Sequence, residues 1–179
     1  MKYKELLEYQ IHPTVVFGRN VRVGKGVVIE EGCMIGDNTL IGNNTTLRKN
    51  TIIGKNCTLG HSVVSEGNLT IGNHVGIHSQ CHLTQTLFIE DHVFMGPSVV
   101  TSNTRRISHG RNLLVRTQGP RICRAARIGA GAVLTPEITI GENALIGAGS
   151  VVTKDIPARE IWYGNPAKYI DIVLQSELL

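Results

Sequence analysis

One bulky apolar residue recurs every six positions along most of the chain. From Ile11 the series runs Phe17, Val23, Ile29, Ile35, Ile41, Leu47, Ile53, Leu59, Ser65, Ile71, Ile77, Leu83, Ile89, Met95 and Thr101, and only Ser65 and Thr101 are polar. It breaks after Thr101 and resumes at Ile122, continuing through Ile128, Leu134, Ile140, Ile146 and Val152. Four places after each bulky residue comes a small or β-branched one: Val15, Val21, Val27, Cys33, Thr39, Thr45, Thr51, Cys57 and Val63, then Ala126, Ala132, Ala144 and Ser150. Glycine follows the bulky position in about half of the hexads, as in Ile35-Gly36 and Ile146-Gly147.

A period of six does not keep one side of a 3.6-residue helix apolar, so an α-helix is excluded. Hairpins are disfavoured as well, because the turns recur too early for alternating strands with one wet face. Each hexad reads instead as a short strand and a corner, with the bulky side chain pointing inward and the small one filling the tighter space beside it. Glycine, asparagine and aspartate suit the corners because they enter left-handed backbone conformations at low cost. Internal repetition of this kind defines a parallel β-helix.

Three hexads per coil make each turn eighteen residues. That grouping places Asn20, Asn38, Asn56, His74 and His92 in one column, with about 4.8 Å between neighbours. It predicts about seven three-sided coils over residues 11–157, a short cap at 1–10, and a cap and tail at 158–179. The stretch 102–121 is out of register and must leave the wall as a loop; loops of this length in a compact domain are usually functional.

Composition sharpens the picture in three ways. Aromatic residues make up only 4% of the chain while twenty residues are glycine, so the core has to be small and aliphatic. The cysteines Cys33, Cys57, Cys81 and Cys123 form no CxxC or zinc spacing. The first three fall on three different sides of the coil and read as buried core residues. No apolar run reaches signal-peptide or membrane-span length, so no membrane partner is expected and a cytoplasmic location is.

The net charge of +4 is concentrated. No aspartate or glutamate lies between His92 and Pro136, while Arg105, Arg106, Arg111, Arg116, Arg121, Arg124 and Arg127 all do. Guanidinium groups match phosphate bidentately, which points to a phosphorylated ligand; a solvated basic surface, or contact with acidic groups of a neighbouring subunit, is the plainer alternative. Nucleic acid is not expected, because aromatic stacking platforms are missing.

The repeat, the segment IEDHVFMGPSVVTSN at 89–103, the loop, IGAGAVLTPEITIGENALIGAGSVVTKDIP and YGNPAK together resemble the hexapeptide-repeat acyltransferases over about residues 11–170. The resemblance implies a left-handed β-helix, a homotrimer with sites between subunits, and acetyl-CoA as co-substrate with no metal. Gly96-Pro97-Ser98-Val99-Val100-Thr101-Ser102-Asn103 is similar to a segment of enzymes that acetylate the amine of nucleotide-linked amino sugars. The His-Pro pair of the sugar O-acetyltransferases is replaced by Thr104-Arg105-Arg106, so amine acetylation is favoured over hydroxyl acetylation. Thr101 stands where an aromatic is usual, and Ile107-Ser108-His109-Gly110 where Tyr-Pro-Arg is usual.

For this chemistry Asn103 is the first candidate to hold the acceptor, with His78 the candidate base because it occupies a place where most hexads carry glycine. Its predicted neighbours, Gly60 and Gly96, would leave room for a ligand. His82, His109, Arg105 and Arg106 are further substrate-site candidates. For acetyl-CoA, the resemblance points to Ala130, Ala148, Lys154 and Lys168; Trp162 and Tyr163 are expected to close the coil rather than stack on adenine. A different class, the γ-type carbonic anhydrases, shares the repeat and holds zinc with three histidines. His74, His78 and His82 invite that comparison, but their intervals of four put them at different hexad places. A non-catalytic scaffold is the remaining alternative.

Overall fold

The computed structural model describes residues 10–179; the expected cap at 1–10 lies outside the described residues except for Gln10. Strands of two or three residues alternate with tight corners, and every third strand pairs in parallel. The result is a left-handed parallel β-helix with three faces. Face one runs from Val16–Phe17 to Thr139–Ile140, face two from Arg22–Val23 to Leu145–Ile146, and face three from Val28–Ile29 to Val151–Val152. Each face stacks seven such strands. Face two is then extended by Glu160–Gly164, parallel, and Ala167–Ile172, antiparallel.

Register explains why six residues are the repeat. Val16 pairs with Met34 and Arg22 with Leu40, each eighteen residues on. Backbone donors on the strands reach the carbonyl seventeen positions ahead, as in Gly18 N–H to Ile35 O at 2.8 Å and Val28 N–H to Thr45 O at 3.0 Å. The bulky series faces inward and is almost wholly buried from Ile29 to Val152. Its two polar members are satisfied inside. The Ser65 hydroxyl lies 2.7 Å from that of Thr51, and the Thr101 hydroxyl donates to His82 O and accepts from Thr84 N–H.

Corners carry the left-handed residues. Asn20, Asn38 and Asn56 have φ near 57°, and each Nδ2 of the first two donates to the next Oδ1 at 3.1 and 3.2 Å. His74 and His92 continue the column as stacked rings with centroids 4.7 Å apart. At the corner between faces two and three, residues 24, 42, 60, 96, 129 and 147 are glycine, and at each the next coil's backbone or side chain crowds the place of a Cβ. A Cβ at Gly42 would sit 2.5 Å from the Gly60 carbonyl carbon.

Cys33, Cys57 and Cys81 are buried on different faces, and burial is the main cause pushing each thiol up. Trp162 joins the core beneath the last coil and Lys154 lies 4.7 Å over its ring, so this aromatic closes the helix as expected.

Removing the Ile89 side chain empties fully buried core between stacked coils, whereas Phe88 points outward and is 41% exposed. Ile89→Ala is expected to cost about 2–5 kcal/mol and Phe88→Ala less than half as much, read from urea denaturation midpoints.

Candidate active site

The loop leaves the corner between faces three and one. Phe88 pairs with Arg121 and Val100 with Val133, spans of thirty-three residues in place of eighteen, so fifteen residues are inserted into one coil. Its neck is an isolated antiparallel bridge between Thr104 and Thr117, closed by Gln118 N–H to Asn103 O at 2.8 Å. Gly119 N–H donates to the Thr86 hydroxyl at 2.7 Å and ties the returning strand to the coil below. Asn103 is therefore held at the neck. Its backbone carbonyl and its Oδ1, which accepts from the Thr104 hydroxyl at 3.0 Å, are both engaged within the chain.

The arginines are less free than their clustering suggests. Arg105 pairs with Glu137 at 2.7 Å, Arg121 with Glu90, Arg124 with Glu142 and Arg127 with Glu177. These carboxylates precede or follow the acid-free stretch in sequence; coil stacking brings back Glu90, Glu137 and Glu142, and the C-terminal tail brings Glu177. Arg106 and Arg111 remain exposed on the loop beside His109. Arg111 donates only to the Ser108 and His109 carbonyls.

The histidines separate onto different parts of the prism. His74 belongs to the corner column between faces one and two. His78 lies at the corner between faces two and three, its ring edge-on to Phe94 with centroids 5.0 Å apart. Its neighbours are the two expected glycines: a Cβ on Gly60 would strike the His78 carbonyl carbon, and Gly96 follows one coil on. His82 stands on the outer side of face three, in register with Val64 and Val100. Its Nε2 is 3.4 Å from Glu66 Oε1. Among the described residues no group of three or more side chains is arranged to hold a metal ion.

Ala130 and Ala148 stack at the same corner as His78, one and two coils beyond Gly96. Both are exposed, as are Gly131 and Gly149, which have positive φ and open space where a Cβ would be. Lys168 is exposed on the terminal hairpin opposite Tyr163. The structure thus gathers two sets. His78, Ala130 and Ala148 share one corner; Asn103, Arg105, Arg106 and His109 share the loop at the other, with His82 on the face between. It does not bring His78 and Asn103 to one corner. Glu66 was missed in the sequence, though its column Glu30, Arg48, Glu66 alternates in sign every eighteen residues.

A three-faced left-handed β-helix with a single long loop and an open, small-residue corner is the architecture of the hexapeptide-repeat proteins. Residues 7–103 match the family model described as the GMPPB C-terminal domain, and residues 119–154 the bacterial transferase hexapeptide, six repeats. The GMPPB C-terminal domain model spans more than half of the chain, so the chain belongs to that family, and residues 119–154 carry the hexapeptide repeat of bacterial transferases. A comparison with curated protein sequences finds no match.

Among solved structures, the chain is similar to LpxA, a UDP-N-acetylglucosamine acyltransferase from Bacteroides fragilis. The TM-score is 0.72 at 21% identity, over 90% of this chain and 72% of that one. A variant of AntD, an N-acyltransferase from Bacillus cereus in complex with dTDP-4-amino-4,6-dideoxyglucose and coenzyme A, aligns over 98% of this chain and 91% of that one, with a TM-score of 0.59 and 18% identity. A hexapeptide-repeat acetyltransferase from Vibrio cholerae aligns over 65% and 74%, with a TM-score of 0.54 and 24% identity. No helix among the described residues is long and apolar enough to cross a membrane.

Glu137 is the carboxylate that tethers the loop through Arg105, with Arg116 Nε at 3.8 Å from the same group. In Glu137→Gln the loop is expected to exchange its amide hydrogens several-fold faster over 104–117, with a stability loss of no more than about 1 kcal/mol because the arginines are largely exposed. Hydrogen exchange by mass spectrometry measures this, and unchanged exchange would show that the tether does not order the loop.

Proposed function

We propose that this chain is an acyltransferase that moves an acetyl group from acetyl-CoA to the amine of a nucleotide-linked amino sugar, in sites formed between the subunits of a homotrimer. The observation that carries this reading is the division of the candidate residues between two corners on either side of face three. A donor corner with bare backbone at Gly131 and Gly149, beside Ala130 and Ala148, suits the extended pantetheine arm of CoA. The loop corner carries Asn103, His109, Arg105 and Arg106, which suit a sugar and its phosphates. One copy holds these sets apart; a neighbouring copy that turns its loop towards the donor corner completes a site. LpxA and AntD, both acyltransferases with nucleotide sugars in their descriptions, support the ligand class.

Chemically, the acceptor amine adds to the thioester carbonyl, a C–N bond forms, the C–S bond breaks, and the amine's proton ends on the leaving thiolate by way of a base. No enzyme nucleophile is needed, so rate enhancement rests on holding two substrates in attack geometry, which supplies about 7–11 kcal/mol when alignment is good. Asn103 orients the acceptor. His78 sits on the donor side against Phe94, with Lys154 and Lys168 near the closed end as point charges for the CoA phosphates.

Free-thiol release from acetyl-CoA, measured against a panel of nucleotide amino sugars, tests this reading. Turnover is expected with an amine acceptor, and Asn103→Ala is expected to lower kcat/KM by about 10–100-fold, consistent with loss of one positioning hydrogen bond. Light scattering is expected to report a trimer. Turnover on hydroxyl acceptors alone would reassign the protein to sugar O-acetylation, and stoichiometric zinc with no CoA binding would favour the carbonic anhydrase-like class.

A further inference from the structure

The loop carries one hydroxyl that neither the wall nor the proposed transfer uses. We propose that Ser108 is a phosphorylation site for a serine/threonine kinase with an acidic substrate groove, and that the phosphate it receives closes the acceptor side of the proposed site. The modification stands apart from the acyl-transfer reading; its effect on turnover rests on that reading.

Sequence and geometry meet at this residue. Ser108 follows Arg105-Arg106-Ile107, so two guanidiniums precede the hydroxyl by three and two places, in a run with no aspartate or glutamate between His92 and Pro136. A kinase groove lined with carboxylates selects such a segment by charge and takes it in extended form. Arg105, Arg106 and Ile107 are all exposed. Among the described residues the backbone of 105–107 makes no hydrogen bond, so drawing it into a groove breaks no ladder and gives up only the exposed Arg105–Glu137 pair. The wall serines are occupied: Ser65 bonds Thr51, Ser79 accepts from His61 N–H, Ser102 donates to Leu134 O and Ser150 accepts from Gly164 N–H. The Ser108 hydroxyl has no hydrogen-bond partner among the described residues. Its carbonyl accepts from Arg111 N–H at 2.9 Å, closing a turn over His109 and Gly110.

In the kinase, Ser108 Oγ bonds to the γ-phosphorus of ATP, the bond from that phosphorus to the bridging oxygen breaks, the hydroxyl proton passes to the kinase's base, and ADP leaves. The product carries about −1.5 to −2 charges and three acceptor oxygens. Arg111 is already folded over the turn, its Nη1 3.4 Å from Ser108 O and 3.3 Å from His109 O. Arg106 stands two residues before the serine, exposed. A phosphate on Ser108 takes these two guanidiniums bidentately. They are the two that the loop leaves without a carboxylate among the described residues, so a nucleotide's phosphates lose their partners and meet a like charge instead.

The whole protein, incubated with Mg-ATP and a kinase that prefers basic substrates, is expected to gain one phosphate per chain by intact mass, placed at Ser108 by fragmentation. Ser108→Ala is expected to gain none while keeping the parent's thiol release, and the double variant Arg105→Gln, Arg106→Gln to lose about tenfold or more in phosphorylation rate. A synthetic peptide of residues 101–112 controls for the kinase. Phosphorylation of that peptide without the folded protein would overturn the site, as would a phosphate placed on any other residue. Phosphorylated protein is expected to show a KM for the nucleotide amino sugar raised about tenfold or more, with kcat and the KM for acetyl-CoA unchanged. A merely disrupted loop would not give that split. An active enzyme whose acceptor KM does not move on phosphorylation removes the closing effect. Protein that releases no thiol with any acceptor removes the acyl-transfer reading, while the mass of the phosphorylated chain decides the site at Ser108 by itself.

Discussion

Each coil has to close on itself in eighteen residues so that every strand meets the same strand one turn later. The backbone bonds that reach seventeen positions ahead on all three faces depend on that closure, and so does everything attached to the wall. The parallel strands have few local contacts to fall back on, since each parallel pairing joins residues about a full coil apart or more. The bulky and small positions are consequences: a three-sided interior admits one large aliphatic per side and one small residue beside it. Corners then need left-handed residues or bare glycine because the next coil lies about one strand spacing away.

This constraint explains why so much of the architecture is legible in the sequence. The Asn20, Asn38, Asn56, His74, His92 column follows from counting by eighteen and is present atom by atom as a hydrogen-bonded and stacked ladder. The register break is equally plain, although its extent is not: of the stretch 102–121, fifteen residues are the true insertion, and the remainder rejoin the wall through the neck at Thr104 and Thr117. Ser65 and Thr101 interrupt the apolar series without loosening it, because both hydroxyls find partners inside the chain, Ser65 with Thr51 of face one and Thr101 with Thr84 and His82.

What sequence order conceals is the third dimension of charge. The run from His92 to Pro136 has no acidic residue, which suggests a free cationic surface. Stacking returns Glu90, Glu137 and Glu142 to the arginines of that run, and the C-terminal tail brings Glu177 to Arg127. Most of the basic cluster is thus part of the fold's surface electrostatics, and Arg106 and Arg111 are what the loop itself presents. The same effect brings Glu66 to His82 across sixteen residues that no local motif links.

The loop then has a geometric meaning beyond its composition. A regular β-helix offers flat walls and closed corners, neither of which can surround a substrate. Fifteen extra residues at one corner break the monotony once, beside the face that carries His82, while the corner across that face keeps its glycines and alanines exposed. In the proposed reading each side of that wall holds one ligand, and the two candidate sets stay on separate corners of a single copy. In the homotrimer proposed above, rotation about an axis parallel to the prism carries one copy's loop to the next copy's donor corner, and repeating the rotation closes the ring. The regularity that makes the wall rigid is therefore also what favours the proposed placing of two-substrate chemistry between subunits.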